Sequence, residues 1–437
     1  MLNKIKSAYL KAGNYCLYFL HEYFLQITAV IITVLSLGVR FAIALHPTRD
    51  VVAYVFEWMK DIQEVGFSNF YKVQSDYSPL FLFIVGIFTL LPAGKEITVG
   101  NLTFNQNWMY YVKGTYFLAE IGIAVGIFLL IRAITNDSKR AWLGYIVYLC
   151  LPVQLFNSAV WGNADTLYFI CFVYALYFVV KGKSGLAFFI TGVCFGIKLQ
   201  AVFLLPFLAY ATLSGKLKLY KIFAFPLGVL ATFIPAYACG AGLFEPFNFW
   251  LEQMGGYSLL TLGCANIWHL INIKSGSMEQ FLKGATLFGL LLIGLFTAIV
   301  FARKVKLTSE NTLLVAVFLI AIVPMFLPHM HERYFYALDV LVAVYCIVTK
   351  KQYYLIVLMQ LSSGIAYHNY LSGRHFILAF GEDSVHIASW INIFVLCTLF
   401  YNILKLPTEG TLKDRALYYK MQAQSLSTNP RENENKN

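Results

Sequence analysis

The run S-P-L-F-L-F-I-V-G-I-F-T-L-L-P, Ser78 to Pro92, decides how the chain is threaded through a bilayer. It has 15 residues, whereas a crossing helix needs roughly 20. Around it the 437-residue chain is 59% hydrophobic, 17% aromatic and only 13% charged, with mean hydropathy +0.66. That composition lies outside the range of soluble domains and indicates a polytopic membrane protein. Apolar runs recur from residue 23 to residue 404, separated by short basic clusters: Arg132 with Lys139 and Arg140, Lys181 with Lys183, Lys216 with Lys218 and Lys221, Arg303 with Lys304 and Lys306, and Lys350 with Lys351. The net charge of +11 is thus spread as the positive-inside pattern of cytoplasmic loops, not gathered into a nucleic-acid-binding patch.

Parity follows. If Ser78–Pro92 crossed, the cluster 132–140 would fall outside and every later cluster would be inverted with it. If the run begins and ends outside, all the basic clusters fall inside at once. The sequence therefore predicts an all-α polytopic membrane protein with about 12 transmembrane helices, a juxtamembrane or re-entrant helix in its first outer loop, and both termini cytoplasmic. Lys4, Lys6 and Lys11 precede the first run with no convincing cleavage site after them, in keeping with an uncleaved, inward-facing start. A single transmembrane domain is expected over 1–406, with outer loops at 46–107, 158–165, 240–283, 328–334 and 368–386, followed by a disordered polar tail at 407–437. No solenoid or inverted repeat is visible.

The polar residues that stand out gather on the outer side. H-P-T-R-D (46–50) places Arg49 and Asp50 just past the first long run. Val51, Val52, Val55, Trp58, Met59 and Ile62 then recur at helical spacing opposite Asp50, Glu57, Asp61 and Glu64, which predicts an amphipathic helix lying on the outer membrane surface. Asp50 fits either a helix cap or a general base. W-G-N-A-D (161–165) returns a second carboxylate, Asp165, which also suits a cap. G-I-K-L-Q-A (196–201) sets Lys198 and Gln200 in apolar surroundings, where a lysine either snorkels to the interface or finds an anion. Glu120 is embedded in the run 109–131 and calls for a cation from another helix.

P-H-M-H-E-R-Y-F-Y (328–336) concentrates two histidines, a glutamate and an arginine between apolar runs. One such residue would pass as an interfacial belt; four together point to a bound polar ligand, with Arg333 suited to a phosphate and His329 or His331 to donating or moving a proton. There is no HExxH zinc motif and no CxxC pair, and Cys16, Cys150, Cys171, Cys194, Cys346 and Cys397 sit in apolar runs, where they read as small core residues. The aromatic segment 240–283, with Phe247, Phe249, Trp250, Tyr257 and Trp268, is a candidate lid or acceptor surface.

In order, R-D (49–50), Y-S-P-L (77–80), W-G-N-A-D (161–165), K-L-Q-A (198–201) and M-H-E-R-Y (330–334) resemble the GT-C fold glycosyltransferases that use lipid-phosphate sugars, the bacterial proteins similar to GPI mannosyltransferase II and dolichyl-phosphate-glucose glucosyltransferases above all. Asn163 and Ser78 depart from that family's Gln and first Pro. The resemblance implies an inverting membrane hexosyltransferase that moves a mannose- or glucose-type sugar from a polyprenyl-phosphate donor to an extracytoplasmic glycan or lipid-linked acceptor. It implies Asp50 as general base and Asp165 as a supporting acid, with Lys198, Gln200, His331 and Arg333 on the donor phosphate. Arg49, Trp161, Glu332 and Tyr334 would support them. No cofactor is implied, and without a DxD pair no metal ligands are assigned. The alternative, a lipid-linked oligosaccharide flippase, calls for charges along a midplane pathway and for repeat symmetry.

Overall fold

Caps and breakers set the ends of the helices. The computed structural model describes residues 21–255, 259–271, 278–372 and 384–408. The basic N-terminus and the tail from 409, together with parts of the loops 240–283 and 368–386, lie outside the described residues. The chain is mostly helical. α1 (Phe24–Ile43) leads through a short polar turn into α2 (Phe56–Val65) and α3 (Pro79–Thr89). Ser78 accepts a hydrogen bond from the Phe81 N–H at 3.3 Å, and Pro79 fills the first turn of α3, where its missing N–H is no loss. Strands β1 (Glu96–Val99) and β2 (Leu102–Asn105) form an antiparallel hairpin about Gly100 and Asn101, a strand pair that the all-helical expectation lacked. Asn105 then caps α4 (Gln106–Thr135) by accepting from the N–H groups of Asn107 and Trp108.

The rest is helical: α5 (Ser138–Cys150), α6 (Asp165–Val180), α7 (Ser184–Ile197), α8 (Leu205–Leu213), α9 (Ala224–Ala238), α10 (Met278–Ala302), α11 (Ser309–Phe326), α12 (Tyr336–Thr349), α13 (Tyr354–Ser372) and α14 (Ser384–Leu404). Six helices among the described residues are long and apolar enough to cross a bilayer, or seven if Ser138–Cys150 and Pro152–Trp161, bent by 49°, form one span. This is the make-up of an all-α membrane protein. α11 is 89% buried across its most apolar window and α1 only 17%, so α11 is central and α1 peripheral; a helix apolar on every side can serve in either place. α7 and α9 touch backbone to backbone. A Cβ on Gly192 would lie 2.0 Å from the Phe225 carbonyl oxygen, and one on Gly228 2.0 Å from that of Phe189, the small-residue packing that lets membrane helices close up.

Several expectations shift. The apolar face of α2 is buried as the spacing predicted, but in protein: Phe56 meets Trp108 edge-on at 5.7 Å, and Trp58 meets Phe81 at 6.3 Å. α3 folds beneath it and takes the place assigned to lipid. The break expected between the apolar runs 185–200 and 201–213 falls at Lys198, whose backbone is extended (φ −155°, ψ 139°) between α7 and a tight turn over Leu199–Leu204. Cys150 and Cys397 are exposed on the flank, so they are not core residues. An apolar neighbourhood in sequence does not separate the inside of a membrane bundle from its lipid-facing surface. Glu120 finds its cation in Arg40 of α1 and also accepts from the Ser158 hydroxyl at 2.9 Å.

Two large apolar cores stand out among the described residues. The smaller packs α2, α3 and the first half of α4, and the larger spans α4 to α6 and α11 to α12. Ala164 belongs to the smaller core and Tyr168 to the larger, so Asp165 lies where they meet.

Candidate functional site

Asp50 does not cap its helix. Its backbone is already helical and it makes no side-chain cap hydrogen bond. Instead its carboxylate accepts from Trp161 Nε1 at 2.7 Å and from the Tyr370 hydroxyl at 2.9 Å. Trp161 is fully buried, stacked on Tyr370 at 4.7 Å and edge-on to Tyr367 at 5.1 Å. The two loops that bring this pair together are stitched by backbone contacts. The Thr48 hydroxyl donates to the Trp161 carbonyl at 2.6 Å. Lys113, buried in α4, donates to the carbonyls of His46 and Ala159 at 2.7 Å each and of Val160 at 3.2 Å. Gly162 (φ 78°) turns the chain after Trp161, and a Cβ there would sit 2.6 Å from Val51 and 2.8 Å from Lys113. Both loops adjoin wide, i to i+5 turns, Val51–Val55 and Phe156–Trp161, which are rare and often mark functional positions.

Asp165 does not cap either, although it opens α6. It is completely buried, with one oxygen accepting from Lys198 Nζ at 2.7 Å and the other from Asn157 Nδ2 at 3.0 Å. Arg333 Nε lies 3.7 Å from that second oxygen. So enclosed, Asp165 is a counter-ion that positions Lys198 and Asn157. Lys198 does not snorkel. It is 4% exposed, reaches Asn163 Oδ1 at 3.5 Å, and lies 5.2 Å from the centre of the Tyr77 ring and 5.6 Å from that of Tyr168, contacts of the cation–π kind.

The segment 328–336 closes the cluster. It is held by strand-like pairing with the segment 260–263: His329 N–H donates to Leu260 at 2.9 Å and Leu262 N–H to Met330 at 3.0 Å. Arg333 donates to Glu332 at 2.9 Å, its guanidinium lies 5.5 Å from the Trp161 ring centre, and His331 Nδ1 is 3.7 Å from Glu332. Burial opposes the charge on Arg333, but Glu332 and then Asp165 outweigh it and hold it firmly protonated. Burial and then Arg333 lower the pKa of His331 below its ordinary 6.5, leaving it neutral. Tyr334 packs edge-on to His331 at 5.2 Å.

Among the expected site residues, the structure gathers Asp50, Asp165, Trp161, Lys198, His331, Glu332, Arg333 and Tyr334. Gln200 is buried two residues beyond Lys198, with an Oε1 that has no hydrogen-bond partner among the described residues. Arg49 is exposed. No local pattern pointed to Tyr370, 320 residues from Asp50, nor to Tyr367, Asn157 or Lys113. Asp76, two residues before Ser78, adjoins the cluster: burial raises its pKa, opposed by the charges of Lys198, Arg333 and His331, although the residue keeps access to solvent. No group of three or more His, Cys, Asp or Glu among the described residues is placed to hold a metal ion.

The arrangement puts one carboxylate, Asp50, on the indole edge of Trp161, and two fixed cations, Arg333 and Lys198, near the same ring or in contact with Asp165. It can take a proton at one end and stabilise an anion at the other. Compared with protein-family models and with curated proteins, the chain matches none.

Proposed function

We propose that the chain is an inverting glycosyltransferase of the GT-C type, moving a hexose of mannose or glucose type from a polyprenyl-phosphate donor to an extracytoplasmic glycan or lipid-linked acceptor. One observation carries this reading: Asp50 and Arg333 converge on Trp161 from segments almost three hundred residues apart, and Arg333 shares Asp165 with Lys198. In the proposed step Asp50 takes the proton of an acceptor hydroxyl, whose oxygen bonds to the sugar C1. The C1–O bond to phosphate breaks, its electron pair leaves with the phosphate, and the anomeric configuration inverts. A phosphate monoester needs little protonation as it leaves, so the fixed charges of Lys198 and Arg333 suit it, and the neutral His331 can donate a hydrogen bond. Trp161 and Tyr370 aim the base.

The helices also support the expected threading. Counting the six long helices, the bent pair, four of the shorter apolar ones and Tyr354–Ser372 as one crossing each gives about twelve, with α3 left out. Its 11 residues rise roughly 16 Å, about half the thickness of a hydrocarbon core. On this count the termini share the cytoplasmic side and the cluster faces outward. An Ala93→Cys variant, at an exposed position after α3, is expected to be labelled by an impermeant thiol reagent from outside; labelling only from the cytoplasm overturns the threading. Sugar transfer from synthetic polyprenyl-phosphate hexoses by purified protein tests the activity. Asp50→Asn is expected to lose about 10²–10⁴-fold in kcat, the range for a general base, and Arg333→Ala to lose transfer as well. Wild-type rates in both variants refute the assignment.

A further inference from the structure

Tyr77 serves two places at once. Its ring lies 5.2 Å from Lys198 Nζ, and it also lines a recess of about 290 Å³ between residues 71–77 of the first outer loop and Glu245–Phe249 of the long aromatic segment. The walls have a definite chemistry. Tyr71, Tyr77 and Phe249 make its lining aromatic, and Asn248 and Gln74 add amides, each both donor and acceptor. Ser75 holds the turn itself, donating to the Tyr77 carbonyl at 2.9 Å while accepting from the Tyr77 N–H at 3.2 Å. Lys72 and Glu245 carry opposite charges on the same rim, so the recess has no net pull on an anion. Its volume is at the small end of ligand cavities, which run from roughly 300 to 1,000 Å³.

We infer that this recess is a saccharide subsite that takes one neutral hexose ring of the acceptor. Aromatic faces match the C–H face of a pyranose, and amides match its equatorial hydroxyls. A charged sugar or phosphate would meet opposed charges here, Lys72 against Glu245, whereas the cluster next door holds two cations. The inference rests on the transferase reading: there the donor hexose lies between Asp50 and the cations, and a second ring, belonging to the acceptor, fits the recess that shares Tyr77 with that cluster. The segment 245–249 is then an acceptor wall, which answers the choice between lid and acceptor surface left open by its aromatic composition.

The test is binding of methyl α-D-mannopyranoside, methyl β-D-glucopyranoside and methyl β-D-galactopyranoside to the purified full chain, in a detergent without a sugar headgroup, followed by saturation-transfer NMR. At least one glycoside is expected to bind saturably, and Asn248→Ala and Tyr71→Ala are each expected to weaken it fivefold or more. Asn248 is exposed and its side chain makes no hydrogen bond among the described residues; an unchanged melting temperature checks that its variant folds. Absence of saturable binding to the wild type, or equal binding by both variants, overturns the subsite even if sugar transfer is observed. Binding lost in Asn248→Ala, with no transfer from any polyprenyl-phosphate hexose, removes the transferase and with it the role of the recess as acceptor site.

Discussion

Replacing Asp165 by Asn should destabilise the fold more than any other single change in the cluster. The carboxylate has no exposure, Lys198 is 4% exposed, and they meet at 2.7 Å. With the negative charge gone, Lys198 has only neutral partners among the described residues, the new amide oxygen, Asn163 Oδ1 at 3.5 Å and two ring faces, while Arg333 loses the anion 3.7 Å from its Nε. Leaving a buried charge uncompensated costs about 3–5 kcal/mol. Lys198→Met should cost less, because the orphaned carboxylate still has Asn157 Nδ2 at 3.0 Å and the Arg333 charge nearby. The double variant Asp165→Asn with Lys198→Met removes both charges and should recover part of the loss, a coupling of about 1–3 kcal/mol. Thermal unfolding of the four proteins, followed by intrinsic fluorescence in one detergent, measures the cycle. The order of melting temperatures should be wild type, then Lys198→Met, with Asp165→Asn lowest and the double variant above Asp165→Asn. Additive losses, or an Asp165→Asn protein as stable as wild type, would show that the pair is not the enclosed ion pair described.

Two further outcomes follow from the same loops. Gly162→Ala forces an L-residue into φ 78° and drives its methyl to within 2.6 Å of Val51; a loss of about 1–3 kcal/mol and a weaker Trp161–Asp50 contact are expected, read as a lower melting temperature and a change in tryptophan emission. Acid should destabilise the fold through His331 and His46. Burial is the main cause lowering both pKa values below 6.5, helped by Arg333 for His331 and by Lys113 for His46. Between pH 6.5 and the lowered values the unfolded chain binds protons that the folded chain does not, so stability is full above about pH 6.5 and falls as the pH drops below it. His46→Gln with His331→Gln should flatten the melting temperature between pH 7 and pH 5.5; an unchanged slope contradicts the assignment.

How much of this was legible in the sequence depends on the range of the interaction. Ser78 and Pro79 announce the start of α3 because a cap acts over three residues, and Val51 to Ile62 announce a buried face because helical periodicity is local. Gly100-Asn101, the two residues between β1 and β2, is a hairpin signal that was there to be read. Asp50 and Asp165 show the limit. A carboxylate at a helix start satisfies the same local pattern whether it caps that helix or reaches a partner far along the chain, and only the packing of α13 beside Trp161 brings Tyr370 within 2.9 Å. Lys198 was ambiguous for the same reason, since snorkelling and ion pairing demand identical apolar flanks.

The pairing of the cations bears on the proposed chemistry. Lys198 and Arg333 already have carboxylate partners in Asp165 and Glu332, so on the transferase reading a donor phosphate joins these pairs and does not displace them. Donors remain for it: the ammonium has three N–H groups against two oxygen neighbours, and Arg333 Nε has no hydrogen-bond partner among the described residues. The carboxylates hold both cations in place before charge develops on the leaving oxygen, which limits reorganisation as the C1–O bond breaks. They also offset part of the attraction for the free phosphate, so that the spent carrier can be released. A pair of bare cations would bind the donor more tightly and its product more tightly still.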